Sequence, residues 1–237
     1  MAPALLRFVK NHPVAVALIL TAFVAVLSRF VPDAYSASAV GLAFLGATYA
    51  LGIAGRSDGE VRAAGLSLGG VFESQPLDAV RMSRDFARAL AFALGAALVI
   101  FPPFIFAFVF WWHPTNAFHF RQPASWNDEL FGQALVIALP EEAFYRGYLM
   151  RALDAKPSRR IRVLGVPVGW SLVLSSALFA IGHLATEPNA ARLAVFFPAL
   201  VFGWLRLRTG GIGAGVLFHV LCNVFASMLG RGYGLWH

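Results

Sequence analysis

The chain has 237 residues, of which 59% are hydrophobic and 13% are charged, and its formal net charge is +7. Soluble domains carry about a quarter charged residues, so this composition excludes an ordinary soluble protein and indicates a membrane protein. A spanning helix needs about 20 mostly apolar residues, so the length holds about six to eight spans in a single membrane domain.

Seven apolar segments are predicted as membrane helices because each is bounded by proline, glycine or charged residues. They cover residues 14–31, 38–54, 89–112, 130–150, 170–186, 193–205 and 212–229. The first is long for a signal peptide and no cleavage pattern follows it, so we expect it to be retained. The sixth is short and contains Pro198, which predicts a tilted, kinked or partly re-entrant helix. The predicted fold is an all-α, polytopic membrane helix bundle of about seven helices.

Lysine and arginine residues are concentrated in every second connection between the predicted segments. Those before the first segment and in the second, fourth and sixth connections are Arg7, Lys10, Arg56, Arg62, Arg81, Arg84, Arg88, Arg151, Lys156, Arg159, Arg160, Arg162, Arg206 and Arg208. The alternate connections hold Arg121 and Arg192. Because basic loops stay in the cytoplasm, we expect a cytoplasmic amino terminus and an external carboxyl terminus. The basic residues form no single arm or patch, so nucleic acid is not an expected partner.

The longest polar stretch, residues 55–88, precedes the third segment. Its end reads RMSRDFARAL from residue 81, which is compatible with an amphipathic approach to the third helix on the inner leaflet. We favour the simpler interpretation of a solvated cytoplasmic loop. Cys222 is the only cysteine, so no internal disulfide and no cysteine-rich metal site is possible.

Two adjacent glutamates lie about halfway along the fourth segment. A charged side chain at a helix centre costs roughly 2.5–3.5 kcal/mol on insertion scales, so Glu141 and Glu142 indicate function. Arg146 follows Glu142 by four residues, which predicts an ion pair on one face and leaves Glu141 without that partner. We expect Glu141 to be the general base that takes a proton from water. Pro140 removes a backbone donor beside the pair, which favours local opening and entry of water. A structural Glu–Arg clamp is the alternative interpretation.

The fifth and seventh segments carry polar groups that suit the same chemistry. His183 follows Phe179 by one helical turn, and His219 and Asn223 are four residues apart on one face. Each alone is compatible with packing or polar contacts between helices. If the three helices converge, they supply a carboxylate base, a histidine for proton transfer or water orientation, and a His–Asn pair for a developing oxyanion. The set predicts hydrolysis of the peptide bond.

The three motifs resemble those of the CAAX protease and bacteriocin-processing family of intramembrane glutamic endopeptidases, also called the Abi family. That family carries EExxxR, FxxxH and HxxxN in this order on separate helices. Here the motifs read EEAFYR at residues 141–146, FAIGH at 179–183 and HVLCN at 219–223. The similarity covers about residues 86–230, and the first two segments carry no such signature.

The resemblance implies a helical bundle with a catalytic set of Glu141, Glu142, Arg146, His183, His219 and Asn223, supported by Phe179 and Pro140. In this set the first glutamate and His183 activate water, and the His–Asn pair of the last motif binds the oxyanion. It also implies that residues 89–237 form the intramembrane protease core, preceded in residues 1–88 by two transmembrane helices and a cytoplasmic loop.

Members of the family process membrane-tethered peptides in bacteria, trim prenylated CAAX ends in eukaryotes or act on carboxyl-terminal sorting tails. The Arg, Ala and Gly content is more typical of a bacterial member, so we expect an integral protein of the bacterial inner membrane. The expected partners are the lipid bilayer and a membrane-anchored or carboxyl-terminally tailed protein or peptide substrate.

Three alternatives stay open at this point. The histidines and glutamates are able to form a three-ligand catalytic zinc site, but no HExxH spacing occurs, and we favour a reaction without a metal cofactor. Charged groups in mid-membrane also serve proton-coupled carriers, although no paired repeat is present. A noncatalytic membrane protein of the immunity type is the third alternative.

Overall fold

The computed structural model describes residues 8–9, 11–155 and 159–236, and the predicted cytoplasmic residues Arg7, Lys10 and Lys156 lie outside these ranges. All seven predicted segments are helical in the described part of the chain. The helices are α1 Pro13–Phe30, α2 Asp33–Ile53, the short α3 Asp58–Ala64, α4 Ala79–Trp112, α5 over residues 126–154, α6 Trp170–Thr186, α7 Phe196–Thr209 and α8 Gly213–Gly232.

Five of these helices are long and apolar enough to cross a membrane. They are α1, α2, α4, α8 and α7 together with the 3₁₀ turn Ala190–Val195 that precedes it. Helix α6 is apolar but shorter, and α5 contains three charged residues near its centre. The prediction of an all-α membrane bundle is confirmed.

Helix α4 begins ten residues before the predicted start of the third segment. The side chain of Asp78 caps it by accepting hydrogen bonds from the backbone N–H groups of Val80 and Arg81. Such a cap satisfies donors that have no partner at a helix start, so the helix begins in the polar sequence. The favoured interpretation of residues 81–88 as a loop was therefore wrong: they form the first turns of α4.

Two further local features were not predicted. A two-stranded antiparallel hairpin, β1 Ile161–Val163 and β2 Val166–Val168, lies in the connection from α5 to α6, with Ile161 paired to Val168. Pro198 lies in the first turn of α7, directly after the 3₁₀ segment Ala190–Val195, and the predicted tilt, kink or re-entry of this helix stays a prediction.

Six helices form a closed ring. The pairs in contact around it are α1–α2, α2–α5, α5–α8, α8–α7, α7–α6 and α6–α1, and α4 packs outside the ring against α8. The basic connections lie at one end of the ring, which we call the basic end. The end formed by the starts of α2, α5 and α7 and the ends of α1, α6 and α8 is called the cavity end.

Candidate active site

Helix α5 changes its winding around the two glutamates. It runs as a π-helix over Gly132–Ala138, as one α-helical turn over Leu139–Glu142, and again as a π-helix over Ala143–Leu149. Pro140 is buried in the α-helical turn between the two π-helical segments, so the helix is widened on both sides of it, and the predicted entry of water there stays a prediction. Segments of π-helix are rare and often accompany functional sites, because they rotate the following side chains onto a new face.

The missing donor of Pro140 has a structural consequence at α2. Proline cannot donate a hydrogen bond to the carbonyl of Val136, four residues earlier. That carbonyl oxygen lies against Gly41 of α2, so closely that a Cβ atom added there would overlap it. The absence of a side chain at Gly41 thus lets α2 approach α5 beside the glutamates.

Glu142 and Arg146 form an ion pair with both side chains fully buried. Arg146 Nη1 lies 3.0 Å from Glu142 Oε1, and Nη2 donates to the carbonyl of Ala199 at 3.0 Å. The guanidinium lies over the Phe179 ring, 4.4 Å from its centroid, and 5.3 Å from the Phe202 centroid. The predicted i, i+4 pair is present, and the predicted supporting residue Phe179 contributes a cation–π contact to it.

His219 lies between the two glutamates. Its Nδ1 is 3.2 Å from Glu142 Oε1, and its Nε2 is 3.8 Å from Glu141 Oε2. The ring is buried and stacks on Phe202 at a centroid distance of 4.6 Å. Because a carboxylate in contact with an arginine only accepts hydrogen bonds, Nδ1 carries the proton and Nε2 is directed to Glu141.

Glu141 differs from Glu142 in its exposure and in having no arginine partner. Its side chain is 14% exposed, and its buried Oε2 accepts no hydrogen bond from the described part of the chain. Buried polar atoms are paired in the large majority of cases, so an unpaired carboxylate oxygen is unusual. Glu142 Oε2 also has no hydrogen-bond partner among the described residues, but its side chain is fully buried, so Glu141 Oε2 is the unpaired oxygen on the more exposed of the two carboxylates.

His183 is fixed by its own helix. Its Nδ1 lies 3.1 Å from the carbonyl oxygen of Phe179, and the two rings are 4.4 Å apart between centroids. A carbonyl only accepts, so Nδ1 is the donor, and the neutral ring presents Nε2 as an acceptor. The FxxxH spacing therefore sets which nitrogen of His183 is free.

Asn223 has a partner that the sequence interpretation missed. Its Nδ2 donates to Gln133 Oε1 at 2.8 Å, across the contact between α8 and α5. One N–H of the Asn223 amide is used in this bond and one remains. Gln133 was detectable as the only polar side chain between Gly132 and the glutamates in an otherwise apolar run.

These residues line one cavity of about 620 Å³ inside the ring. All six ring helices contribute to its wall, and among the described residues α4 contributes none. Glu141, His183, His219 and Asn223 line it together with Gln133, whereas Glu142 and Arg146 lie behind the wall. The structure thus brings the three predicted motifs to one place and separates the two glutamates into a wall residue and a buried one.

The positions of the possible metal ligands were compared with the needs of a metal site. Across residues 8–9, 11–155 and 159–236, no three His, Cys, Asp or Glu side chains are positioned to hold one metal ion. The nitrogen Nδ1 of His219 is directed to Glu142, and Nδ1 of His183 to a backbone carbonyl.

Comparison with known proteins identifies the region that holds the site. Residues 124–225 match the family described as type II CAAX prenyl endopeptidase Rce1-like. No curated protein and no solved structure matches the chain. The matched region includes the three predicted motifs and Gln133 but neither α1 nor α2. Endopeptidases are peptide-bond hydrolases, so the similarity of residues 124–225 to this family supports a protease within an integral membrane protein.

Proposed function

We propose that this protein is an intramembrane endopeptidase that uses Glu141 as a general base and needs no metal ion. The observation that carries the proposal is the unpaired, buried Oε2 of Glu141 on the wall of a membrane-embedded cavity, 3.8 Å from His219 Nε2. The family match supplies the reaction class, and this geometry suits an attacking water.

Activation of water requires two acceptors in a fixed arrangement. In the proposed reaction Glu141 takes the proton from water while the free Nε2 of His183 accepts its second hydrogen bond. The hydroxyl oxygen bonds to the carbonyl carbon of the peptide, and the C–N bond then breaks. Glu141 returns its proton to the departing amine, so the enzyme ends the cycle in its starting protonation state.

The oxyanion needs hydrogen-bond donors, and the tautomer of His219 decides whether this residue can be one of them. Asn223 keeps one N–H after its bond to Gln133, so it suits a developing oxyanion. Neutral His219 has no free N–H on the side of Glu141, because its proton is on Nδ1. His219 becomes a donor only when both of its nitrogens carry protons. We therefore assign the donor role to Asn223 and a proton-transfer role to His219.

Glu142 and Arg146 act by holding other groups. Their pair fixes Nδ1–H of His219, and the bond from Arg146 to the Ala199 carbonyl ties α5 to α7. Because the pair is fully buried, it keeps the neighbouring Glu141 carboxylate in one position without motion of its own side chains. We propose a positioning role for both residues.

The substrate class follows from the setting of the cavity. We propose a membrane-anchored or carboxyl-terminally tailed protein or peptide, because the polar set lies inside a bundle that a lipid-tethered segment reaches by lateral or end-on entry. We further propose the bacterial inner membrane as its location, on the Arg, Ala and Gly content of the sequence.

The decisive test is a comparison of carboxylate variants on helix α5. Purified protein in liposomes is incubated with a panel of lipid-anchored peptides that carry a fluorogenic bond near the carboxyl end. We expect Glu141→Gln to lose a factor of about 10²–10⁴ in turnover, the usual contribution of a general base. Glu129→Gln is the matched control, since Glu129 lies on the same helix and pairs with Arg231 outside the cavity. Full turnover by Glu141→Gln would refute the assignment of the base.

Metal dependence is tested separately. Protein that has been dialysed against a strong chelator is assayed with and without added zinc, and its metal content is measured by elemental analysis. We expect undiminished turnover and less than one equivalent of any transition metal. Loss of turnover that zinc restores would replace this proposal with a metalloprotease.

A further inference from the structure

The 620 Å³ cavity extends from the polar cluster towards one end of the ring. Beyond Glu141 and His219, its wall continues along residues near the helix ends: Ser28, Ser36, Gln133, Thr186, Arg192 and Ser227. Each of these lies at the end of α1, α6 or α8 or at the start of α2, α5 or α7, or in the turn before α7. All belong to the cavity end.

The other side of the cluster is filled. Glu142 and Arg146 are fully buried, and an apolar cluster with Leu66, Ala143 and Ile212 at its centre packs beyond them. A second cavity of about 510 Å³ lies at the basic end, and it shares no lining residue with the first. Among the described residues, buried side chains therefore separate the cavity at the basic end from the cavity that Glu141 lines.

The charges of the two ends differ. At the cavity end, Arg192 pairs with Glu187 at 3.1 Å and Arg231 with Glu129 at 3.3 Å. The remaining basic residues on that side are Arg29 and Arg121. The basic end carries the connections rich in arginine and lysine described above, which the positive-inside rule assigns to the cytoplasm.

We propose that the cavity opens on the non-cytoplasmic side of the membrane and takes as substrate a membrane-tethered peptide segment that has already crossed the bilayer. This inference rests on the proposed function for the chemistry, but the side of the opening follows from the wall and the charges alone. The residues of the opening are mainly small and uncharged, and its charged members are Asp33 and the paired Arg192. An extended segment with few charges fits such an opening better than a strongly charged one.

The test is cysteine labelling from one side in intact cells that express the protein. Cys222 is first replaced by serine, because this residue lines the cavity and would react itself. Single cysteines are then introduced by Ser227→Cys in the cavity, Ala117→Cys in the exposed connection at the cavity end, and Gln75→Cys in the exposed connection at the basic end. Ser36→Cys is a second cavity variant in case the first does not fold.

We expect a membrane-impermeant maleimide to label Ala117→Cys and Ser227→Cys in intact cells and Gln75→Cys only after permeabilisation. Labelling of Ser227→Cys and Ser36→Cys that requires permeabilisation, or that fails on both sides, would overturn the proposal. Because labelling needs no turnover, these outcomes are independent of the peptidase assay. Loss of the proposed function would appear only as uncleaved peptides with the labelling pattern intact.

Discussion

Two glutamate clusters at different depths of the molecule differ in how completely the oxygens of a buried carboxylate are hydrogen-bonded. At the basic end, both oxygens of Glu73 are paired: Arg81 reaches them at 2.7 and 2.8 Å, Arg62 approaches at 3.2 Å, and Ser67 donates to Oε1. Within the ring, Glu142 has one paired oxygen, and Oε2 of Glu141 has no hydrogen-bond partner among the described residues.

Under the proposed function, this difference separates a structural carboxylate, Glu73, from a reacting one, Glu141. The bonds from Arg81 and then Ser67 hold the pKa of Glu73 at about 2, so this group is an anion at neutral pH and ties down the connection between α3 and α4. A fully paired group has no capacity left for a substrate or water. The incomplete pairing inside the ring is what a reacting group requires, and it exists only because neighbouring groups are held firmly.

The largest expected effect concerns the buried pair. Arg146→Met leaves Glu142 without its cation, so we expect a loss of about 3–5 kcal/mol in the free energy of unfolding. Arg81→Met, its counterpart at the basic end, removes a partly exposed partner and should cost about 1 kcal/mol or less. Unfolding in detergent followed by tryptophan fluorescence compares the two. The double change Glu142→Gln with Arg146→Met should recover part of the loss, and equal losses for the two single variants would contradict the distinction.

The second effect concerns the amide pair across α5 and α8. Asn223→Ala removes the proposed oxyanion donor and should lower kcat by roughly 10²–10³-fold with little change in KM. Gln133→Leu removes only the group that holds Asn223, so its loss in kcat should be smaller, and Gln133→Glu should restore much of the activity because it keeps the acceptor. A larger loss in Gln133→Leu than in Asn223→Ala would reverse these roles.

The third effect should be close to zero for stability. Glu141→Gln removes a charge that has no hydrogen-bond partner at Oε2, so the free energy of unfolding should stay within about 0.5 kcal/mol of the original or rise. The same variant should be inactive, which distinguishes a catalytic residue from a structural one. A loss of stability similar to that of Arg146→Met would show that Glu141 belongs to the clamp.

The last effect is a pH dependence at the basic end. The pKa of Glu73 is lowered on folding, so its contribution is fully present above the unfolded value of about 4.5 and is lost as the pH falls towards about 2. The stability difference between the original protein and Glu73→Gln should be constant from pH 8 to pH 5 and shrink below pH 4.5. Thermal unfolding in detergent across this range measures it, and a difference that already falls between pH 8 and pH 6 would contradict the assignment.

Local patterns predicted the parts of this molecule that local physics determines. Apolar length identified the membrane helices, and a spacing of four identified the Glu142–Arg146 pair and the face shared by His219 and Asn223. The early start of α4 was missed because a single capping residue, Asp78, outweighed the polar character of the turns after it.

Contacts between side chains on different helices could not be predicted from these local patterns. No spacing in the chain indicates that His219 lies between the two glutamates, or that Asn223 is held by Gln133 some ninety residues earlier. Those contacts depend on the order of helices around the ring and on the π-helical winding of α5, which rotates its faces. The division at residue 88 stays a prediction, although α1 and α2 both line the cavity.

The contribution of α1 and α2 to the cavity wall affects whether water can remain beside Glu141. Thr21 of α1 and Phe44 of α2 face the same chamber as Glu141, and the two helices close the ring between α5 and α6. If they were removed, acyl chains of the surrounding lipid would occupy their place and displace the water that Glu141 deprotonates in the proposed reaction. Residues 124–225 would then keep every motif residue but would lack the water that the proposed reaction consumes. In the proposed reaction, the two helices without a recognised signature therefore act as the barrier that keeps lipid out of the cavity where hydrolysis takes place.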